Sequence, residues 1–398
     1  MQNTELTTMS VRENIPETYH RAPSVLVDLP ESFDLMLGAL AGEPVIGLDT
    51  ESDSLYRYFP RVCLIQVSTR QADYVVDPLS VPDLAPLGAL LADPGVEKVF
   101  HAAENDILAL KRGFGFEFAH VFDTMLAARI LGYRRVGLAA LLQEKFDVEL
   151  DKRTQLTDWG HRPLTPEQLN YACLDSHYLL SLRDLLKEEL VARGRWREAL
   201  EAFSALPGIP YVAKPFDPEG FWRCREARYL NPTELAILRE LYLWRDGQAR
   251  AMDRPPFKVA SDECLVRLSR EQPSRLADLH LSGWQIRRFG SAIVAAVARG
   301  KTASAPQPPN RHLNREHRLD PATVTRYDRL RAWRGQRAAE RGVEADVVLT
   351  NEALLTIARA APTTFGMLDG LAVMGPWKLE EYGVDVLAVL AAEVQPRR

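Results

Sequence analysis

Residues 45–52 read VIGLDTES, a short apolar run that ends in two acids, and the reading of this stretch decides the fold. A brief apolar run of this kind suits a buried strand. Residues i and i+2 of a strand point to the same side, so Asp49 and Glu51 share one face. Two carboxylates that close do not share a site comfortably without a cation. A strand running into a polar loop, with Asp49 capping a turn, would explain the same letters, so the pair acquires meaning only from its surroundings.

Working outward, SVLVDL before it reads as a strand and SFDLMLGALAG as a helix closing on Gly42. After it, VCLIQVST and ADYVVDP read as two more strands with the hairpin-like spacing of TRQ between them. DLAPLGALLAD is a helix, KVFHAA a strand, and ENDILALKRG a helix closing on Gly113. Strands in hairpin succession followed by strand–helix units imply a mixed sheet flanked by helices, an α/β domain. From about residue 165 to 203 the pattern is helical, with Thr165 and Gln168 forming a capping box and Pro166 at the first helical position.

Three further residues stand where an acid or a phenol is locally unusual. Asp106 follows KVFHAA in the first turn of the next helix. An acid there stabilises the helix N-terminus, but the C-terminal edge of a strand is also where open α/β sheets place ligands. Tyr171 and Asp175 lie four apart on a helix and share a face. That face is otherwise apolar, and a buried Asp needs a partner. His101 reads as structural, Glu104 as a helix-start acid, and Asp123 as the N-cap of the helix that follows it.

The chain of 398 residues is long enough for two or three domains. It lacks an apolar run that could span a membrane, and its polar opening carries no secretory signal. The four cysteines, Cys63, Cys173, Cys224 and Cys264, are far apart and suit reduced thiols in a cytoplasmic protein. The net charge of −5 hides an asymmetry: −12 over residues 1–220, +7 over 221–320 and zero over 321–398. An acidic first part beside a basic middle suits a metal-binding catalytic domain next to a polyanion-binding module. Two helical segments repeat at a constant offset of 89 residues, pairing Trp244 with Trp333, Leu265 with Leu354 and Pro273 with Pro362. The expected organisation is therefore a loose tail over 1–23, the α/β domain over 24–205, a linker over 206–230, one helical copy over 231–303, a second linker over 304–320 and the other copy over 321–398.

The order D-x-E, then Asp after a strand, then Y-x-x-x-D on a later helix resembles the DEDDy branch of the 3′→5′ exonucleases, which have a ribonuclease-H-like fold. More narrowly, DTESDSLYRYFPRVCLIQVS, KVFHAAENDILAL, FDTMLAARILGY and DKRTQLTDWGHRPLTPEQLNYACLDSHYLL resemble the ribonuclease D family, and the two repeats resemble its all-α HRDC domains. The resemblance covers nearly everything from residue 24 onward. It departs at Ser52, where family members often carry a bulky residue that can stack on substrate.

The resemblance implies a catalytic set of Asp49, Glu51, Asp106, Tyr171 and Asp175. The four acids would bind two divalent ions, Mg²⁺ or Mn²⁺, whose hard charge suits oxygen ligands. Tyr171 would orient the attacking water, since a phenol with a pKa near 10 is a poor base at neutral pH. The implied activity is 3′→5′ exoribonuclease trimming of tRNA precursors and other structured RNAs, releasing 5′-mononucleotides. The implied enzyme is a monomer with neither an organic cofactor nor a membrane partner. Lys152, Gln155 and Arg162 near the catalytic helix, and Arg250, Lys258, Arg287 and Arg288 in the first repeat, are expected to contact RNA. Trp159 fits either that approach or the core, while Arg245 and Arg254 belong to the same basic group. A DNA 3′→5′ exonuclease, or a non-catalytic nucleic-acid scaffold, would be the alternatives; the paired HRDC-like repeats favour RNA, and four acids favour catalysis.

Overall fold

The computed structural model describes residues 24–150, 152–308 and 319–392, without the side chain of Lys152. The tail expected over 1–23 and most of the second expected linker lie outside the described residues.

The sheet domain opens with β1 (Ser24–Val27) and α1 (Pro30–Leu40), followed by β2 (Val45–Ser52), β3 (Val62–Ser68) and β4 (Asp73–Val76). Then come α2 (Ala85–Ala92), β5 (Glu97–Phe100), α3 (Glu104–Phe114), β6 (Val121–Asp123), α4 (Thr124–Leu131) and α5 (Leu138–Phe146). The helices α6 (Pro166–His177), α7 (Leu179–Ala192) and α8 (Trp196–Ala205) complete it. The strand order is β1-β4-β3-β2-β5-β6. Strand β4 is parallel to β1 and antiparallel to β3, and β5 is parallel to both β2 and β6. The sheet is thus mixed and covered by helices, as the pattern of the chain implies. Strand β6 is new: three residues are too few to show a period of two.

Strand β2 sits inside the sheet between β3 and β5. Val45, Ile46 and Leu48 are buried, and burial relaxes only from Asp49 onward. The apolar half of VIGLDTES therefore anchors the strand, and the acidic half emerges at its C-terminal end, beyond the last β2–β5 pair at Gly47 and Val99.

The chain forms two compact units. Among the described residues, one contains 24–51, Val62–Tyr211 and the second helical repeat. The other contains Ser52–Arg61 and Val212–Asp320. The expected linker over 206–230 is corrected in its second half. Gly220–Arg223 and Ala227–Tyr229 form short 3₁₀ turns, and Phe221, Cys224, Ala227 and Leu230 are buried in the core of the first repeat. Apolar side chains set among prolines and charges bury wherever a core accepts them.

The first repeat consists of α9 (Pro232–Ala251), α10 (Pro256–Val259), α11 (Asp262–Glu271) and α12 (Gly283–Thr302). The second consists of α13 (Pro321–Arg341), α14 (Ala345–Val348), α15 (Asn351–Ala360), α16 (Phe365–Asp369) and α17 (Pro376–Ala391). The 89-residue offset holds in the caps: Ser261 Oγ accepts from Cys264 N, and Thr350 Oγ1 from Ala353 N. It also holds in the interior. Arg245 Nη1 donates to Ala260 O at 3.0 Å, and Arg334 Nη1 to Leu349 O at 2.8 Å. Both guanidiniums are buried. This corrects the placement of Arg245 among phosphate-binding residues, because its charge closes the repeat's own helix connection and pairs with Asp262 at 2.6 Å. The second repeat shares a core with the sheet domain, where Val347 lies with Phe122, Leu182 and Phe203.

Candidate active site

Asp49 and Glu51 project from the end of β2, and Asp175 reaches them from α6. One carboxylate oxygen from each lies within 4.8 Å of the others. The closeness follows from Gly47. A Cβ at Gly47 would lie 3.0 Å from the carbonyl oxygen of Ser176 and 3.3 Å from Leu179 Cβ. Only a residue without a side chain lets the backbone of α6 approach β2 here. Gly47, Asp49 and Glu51 alternate onto one face, so the glycine that admits the helix also brings its Asp175 to the two acids.

Further contacts fix α6. Thr165 and Gln168 form the expected capping box, and Gln168 Nε2 also donates to Thr157 Oγ1. Ser176 Oγ lies 2.7 Å from Ser68 Oγ on β3, and His177 Nδ1 lies 2.8 Å from Asp73 Oδ2 on β4. Tyr171 hydrogen-bonds Asp175. Its ring packs on Trp159, whose side chain is fully buried, so Trp159 belongs to the core.

Asp106 enters from the first turn of α3. Thr50 Oγ1 donates to Asp106 Oδ1 at 2.5 Å. Asp106 stands outside the tight three-acid group, yet its charge is felt by both Asp49 and Glu51. Asp123 places it. One oxygen of Asp123 caps α4 by accepting from Met125 N at 2.8 Å and Leu126 N at 3.1 Å. The same carboxylate accepts from Ala102 N and Ala103 N, the turn that launches α3. The N-cap read in the sequence is therefore half of its role. His101 is structural: Thr124 Oγ1 donates to Phe100 O, so it accepts from His101 Nδ1–H, and burial lowers the imidazole pKa to about 4.

Electrostatics mark the acids as a set crowded with like charge. Burial, followed by repulsion from Asp106, Asp175 and Glu51, raises the Asp49 pKa well above the carboxylate range. Burial and the charges of Asp175 and Asp106 push Glu51 to about 9. Burial pushes Asp106 to about 7, against the opposing pull of the Thr50 hydrogen bond. Burial and the neighbouring carboxylates hold Tyr171 far above the ordinary phenol range, so it stays protonated. Clustered buried carboxylates of this kind need protons or cations. The all-oxygen donor set fits a hard divalent ion.

The expected RNA-contact residues separate. Arg162 is corrected: its guanidinium donates to both oxygens of Asp77, at 2.6 and 2.7 Å, and to the carbonyls of Cys63, Trp159 and His161. It ties the loop before α6 to the sheet, a long-range role that a local reading of charge cannot reveal. The Lys152 side chain lies outside the described residues, and Gln155 is exposed. Arg250, Lys258, Arg287 and Arg288 are all exposed on the first repeat. Arg250 stacks over Tyr58, and Lys258 over Tyr56 and Phe257. Sequence reasoning passed over Thr50 and Gly47; a glycine inside a strand signals close backbone approach and could have pointed to the latter. Among the described residues, no helix is long and apolar enough to cross a membrane.

Comparison with known proteins agrees with this fold. A family described as 3′-5′ exonuclease matches residues 25–191, and the HRDC domain family matches residues 234–297 and 325–390. Ribonuclease D of Gluconacetobacter diazotrophicus is 30% identical over 92% of this chain and 92% of its own length. The exosome complex component 10 homolog of Caenorhabditis elegans is 33% identical over 65% of this chain, which spans 30% of that protein. The crystal structure of Escherichia coli RNase D, an exoribonuclease involved in structured RNA processing, superposes with a TM-score of 0.62 at 26% identity, covering 92% of this chain and 98% of that one.

Proposed function

The chain belongs to the ribonuclease D family and is a 3′→5′ exoribonuclease, and on that premise we propose that it trims the 3′ ends of tRNA precursors and releases 5′-mononucleotides with the aid of two divalent cations. The observation that carries this reading is the meeting of Asp49, Glu51 and Asp175 within 4.8 Å at the end of a buried strand.

Asp49, Glu51 and Asp175 are the residues that would hold the ions, with Asp106 completing the set. Paired divalent cations, when bound, supply activation of water and neutralisation of charge on a leaving 3′-oxygen. Tyr171 contributes as a hydrogen-bonding group. Its phenol is kept protonated by burial and by its acidic neighbours, so it orients a water and does not abstract its proton. Asp175, to which it is bonded, holds that hydroxyl beside the carboxylate group. The exposed cations Arg250, Lys258, Arg287 and Arg288 of the first repeat contact RNA phosphates, with Gln155 near the catalytic helix.

The test is trimming of a tRNA bearing a short 3′ trailer, beside matched RNA and DNA oligonucleotides, with and without chelator. We expect metal-dependent shortening of RNA from its 3′ end. Asp49→Asn should abolish it while leaving RNA binding nearly intact. Normal trimming by the Asn variant would overturn the site assignment, and preferred digestion of DNA would establish the DNA-exonuclease alternative.

A further inference from the structure

Gln66 lies in the middle of β3 with a fully buried side chain, and neither its Nε2 nor its Oε1 has a hydrogen-bond partner. Its strand neighbours are Cys63, Leu64, Ile65 and Val67, all fully buried. A leucine of similar volume would fit such surroundings, whereas a buried amide left unpaired at both ends is destabilising. An amide kept in such surroundings with both ends unused points to a function other than packing.

The position of Gln66 indicates what that function is. A Cβ at Gly47 would lie 3.6 Å from Ser68 Cβ, so Gly47 on β2 stands opposite Ser68 on β3. Further along the same pair of segments, Asp53 N donates to Arg61 O at 3.3 Å, which sets β2 and β3 antiparallel. Asp49, two residues on from Gly47, and Gln66, two residues back from Ser68, therefore lie on the same face of adjacent strands. Both face α6: Leu64 and Ser68, which alternate onto the same side as Gln66, meet Ala172 and Ser176 of that helix.

We propose that Gln66 is a positioning residue for the carboxylate centre, its amide unengaged within the chain and able, once ions are held there, to donate from Nε2–H to the Asp49 carboxylate and to accept from a water at Oε1. This rests on reading Asp49, Glu51, Asp106 and Asp175 as an ion-binding set. A donor from Gln66 would fix the orientation of the Asp49 carboxylate that would hold a cation. Outer partners of this kind commonly change metal affinity by about 10–100-fold when removed.

The experiment measures Mn²⁺ binding to the full chain by calorimetry, and the Mn²⁺-induced rise in Tm, for the parent protein, Gln66→Leu and Gln66→Met. The expected result is Mn²⁺ affinity weakened about 10–100-fold, with the metal-free Tm unchanged or higher. At limiting Mn²⁺ kcat should fall while KM for RNA holds. Equal Mn²⁺ affinity in either folded variant and the parent overturns the proposal. A lower metal-free Tm with unchanged affinity does the same, by showing that the amide merely supports the core, as does failure of both variants to fold. If the parent itself binds no Mn²⁺, the ion-binding reading of the site falls as well, so the two failures are distinct.

Discussion

Thr50 and Asp106, 56 residues apart in the chain, are joined by a 2.5 Å hydrogen bond from the threonine hydroxyl to the carboxylate. Thr50 lies between Asp49 and Glu51 on β2, so one strand end supplies two acids directly and tethers a third. Hydrogen bonds to a charged group contribute about 1.5–3 kcal/mol. Thr50→Val removes a donor that favours ionised Asp106, and the Asp106 pKa should rise further. The expected result is a kcat/KM about ten-fold lower or less and an acid limb of the pH–rate profile displaced to higher pH. An unmoved acid limb would show that the tether has no bearing on catalysis.

Stability of the metal-free protein should fall as pH rises. Glu51 has an ordinary value of 4.5 and a folded value of about 9, so the folded state holds its proton more tightly. A raised folded pKa stabilises the protein below the unfolded value, and that stability is lost as pH climbs toward the folded one. Thermal melts in chelator should therefore decline from about pH 4.5 to 9, and Mg²⁺ or Mn²⁺ should restore Tm most strongly at the alkaline end. A metal effect independent of pH would contradict this.

Tyr171→Phe should lower kcat by about 100-fold while leaving Mn²⁺ affinity and Tm nearly unchanged. The ring still packs on Trp159, and only the hydroxyl beside Asp175 is lost. Single-turnover kinetics beside a metal titration separate the two readouts, and undiminished turnover would remove the orienting role.

Gly47→Ala introduces a Cβ 3.0 Å from Ser176 O and 3.3 Å from Leu179 Cβ. Overpacking of this kind costs about 1–3 kcal/mol. Activity should fall more than stability alone explains, because the displaced α6 carries both Tyr171 and Asp175. Denaturant melts and kcat measured well below the melting transition distinguish the effects.

Replacing Arg287 and Arg288 together by alanine should weaken RNA binding and flatten its salt dependence. Each phosphate contact with single-stranded nucleic acid contributes about 0.7 to the slope of log K against log salt, so the pair should remove about 1.4 at most. The cleavage rate at saturating RNA should hold. An unchanged slope would take both residues out of the interface.

Much of the site was legible because its chemistry is local. Asp49 and Glu51 share a face by strand period, Tyr171 and Asp175 by helix period, and the capping box at Thr165 announces the helix that carries the latter pair. The 89-residue repeat was legible for the same reason, since it is a comparison of the chain with itself. The misread residues were those whose partners lie outside their own helix or loop. Arg162 looked like a free cation until Asp77, 85 residues away, was seen to hold it, and Arg245 until Ala260 and Asp262 were seen to bury it.

The sequence by itself determined most of the elements, the duplicated helical unit and the candidate acidic residues, because backbone periodicity and capping depend on neighbours a few positions apart. Only the tertiary structure decided that β2 lies between β3 and β5, that α6 can lie against it at Gly47, and that Asp123 launches α3 as well as capping α4. Those outcomes depend on backbone approach and on hydrogen bonds between segments distant in the chain, and no local pattern of side chains encodes them.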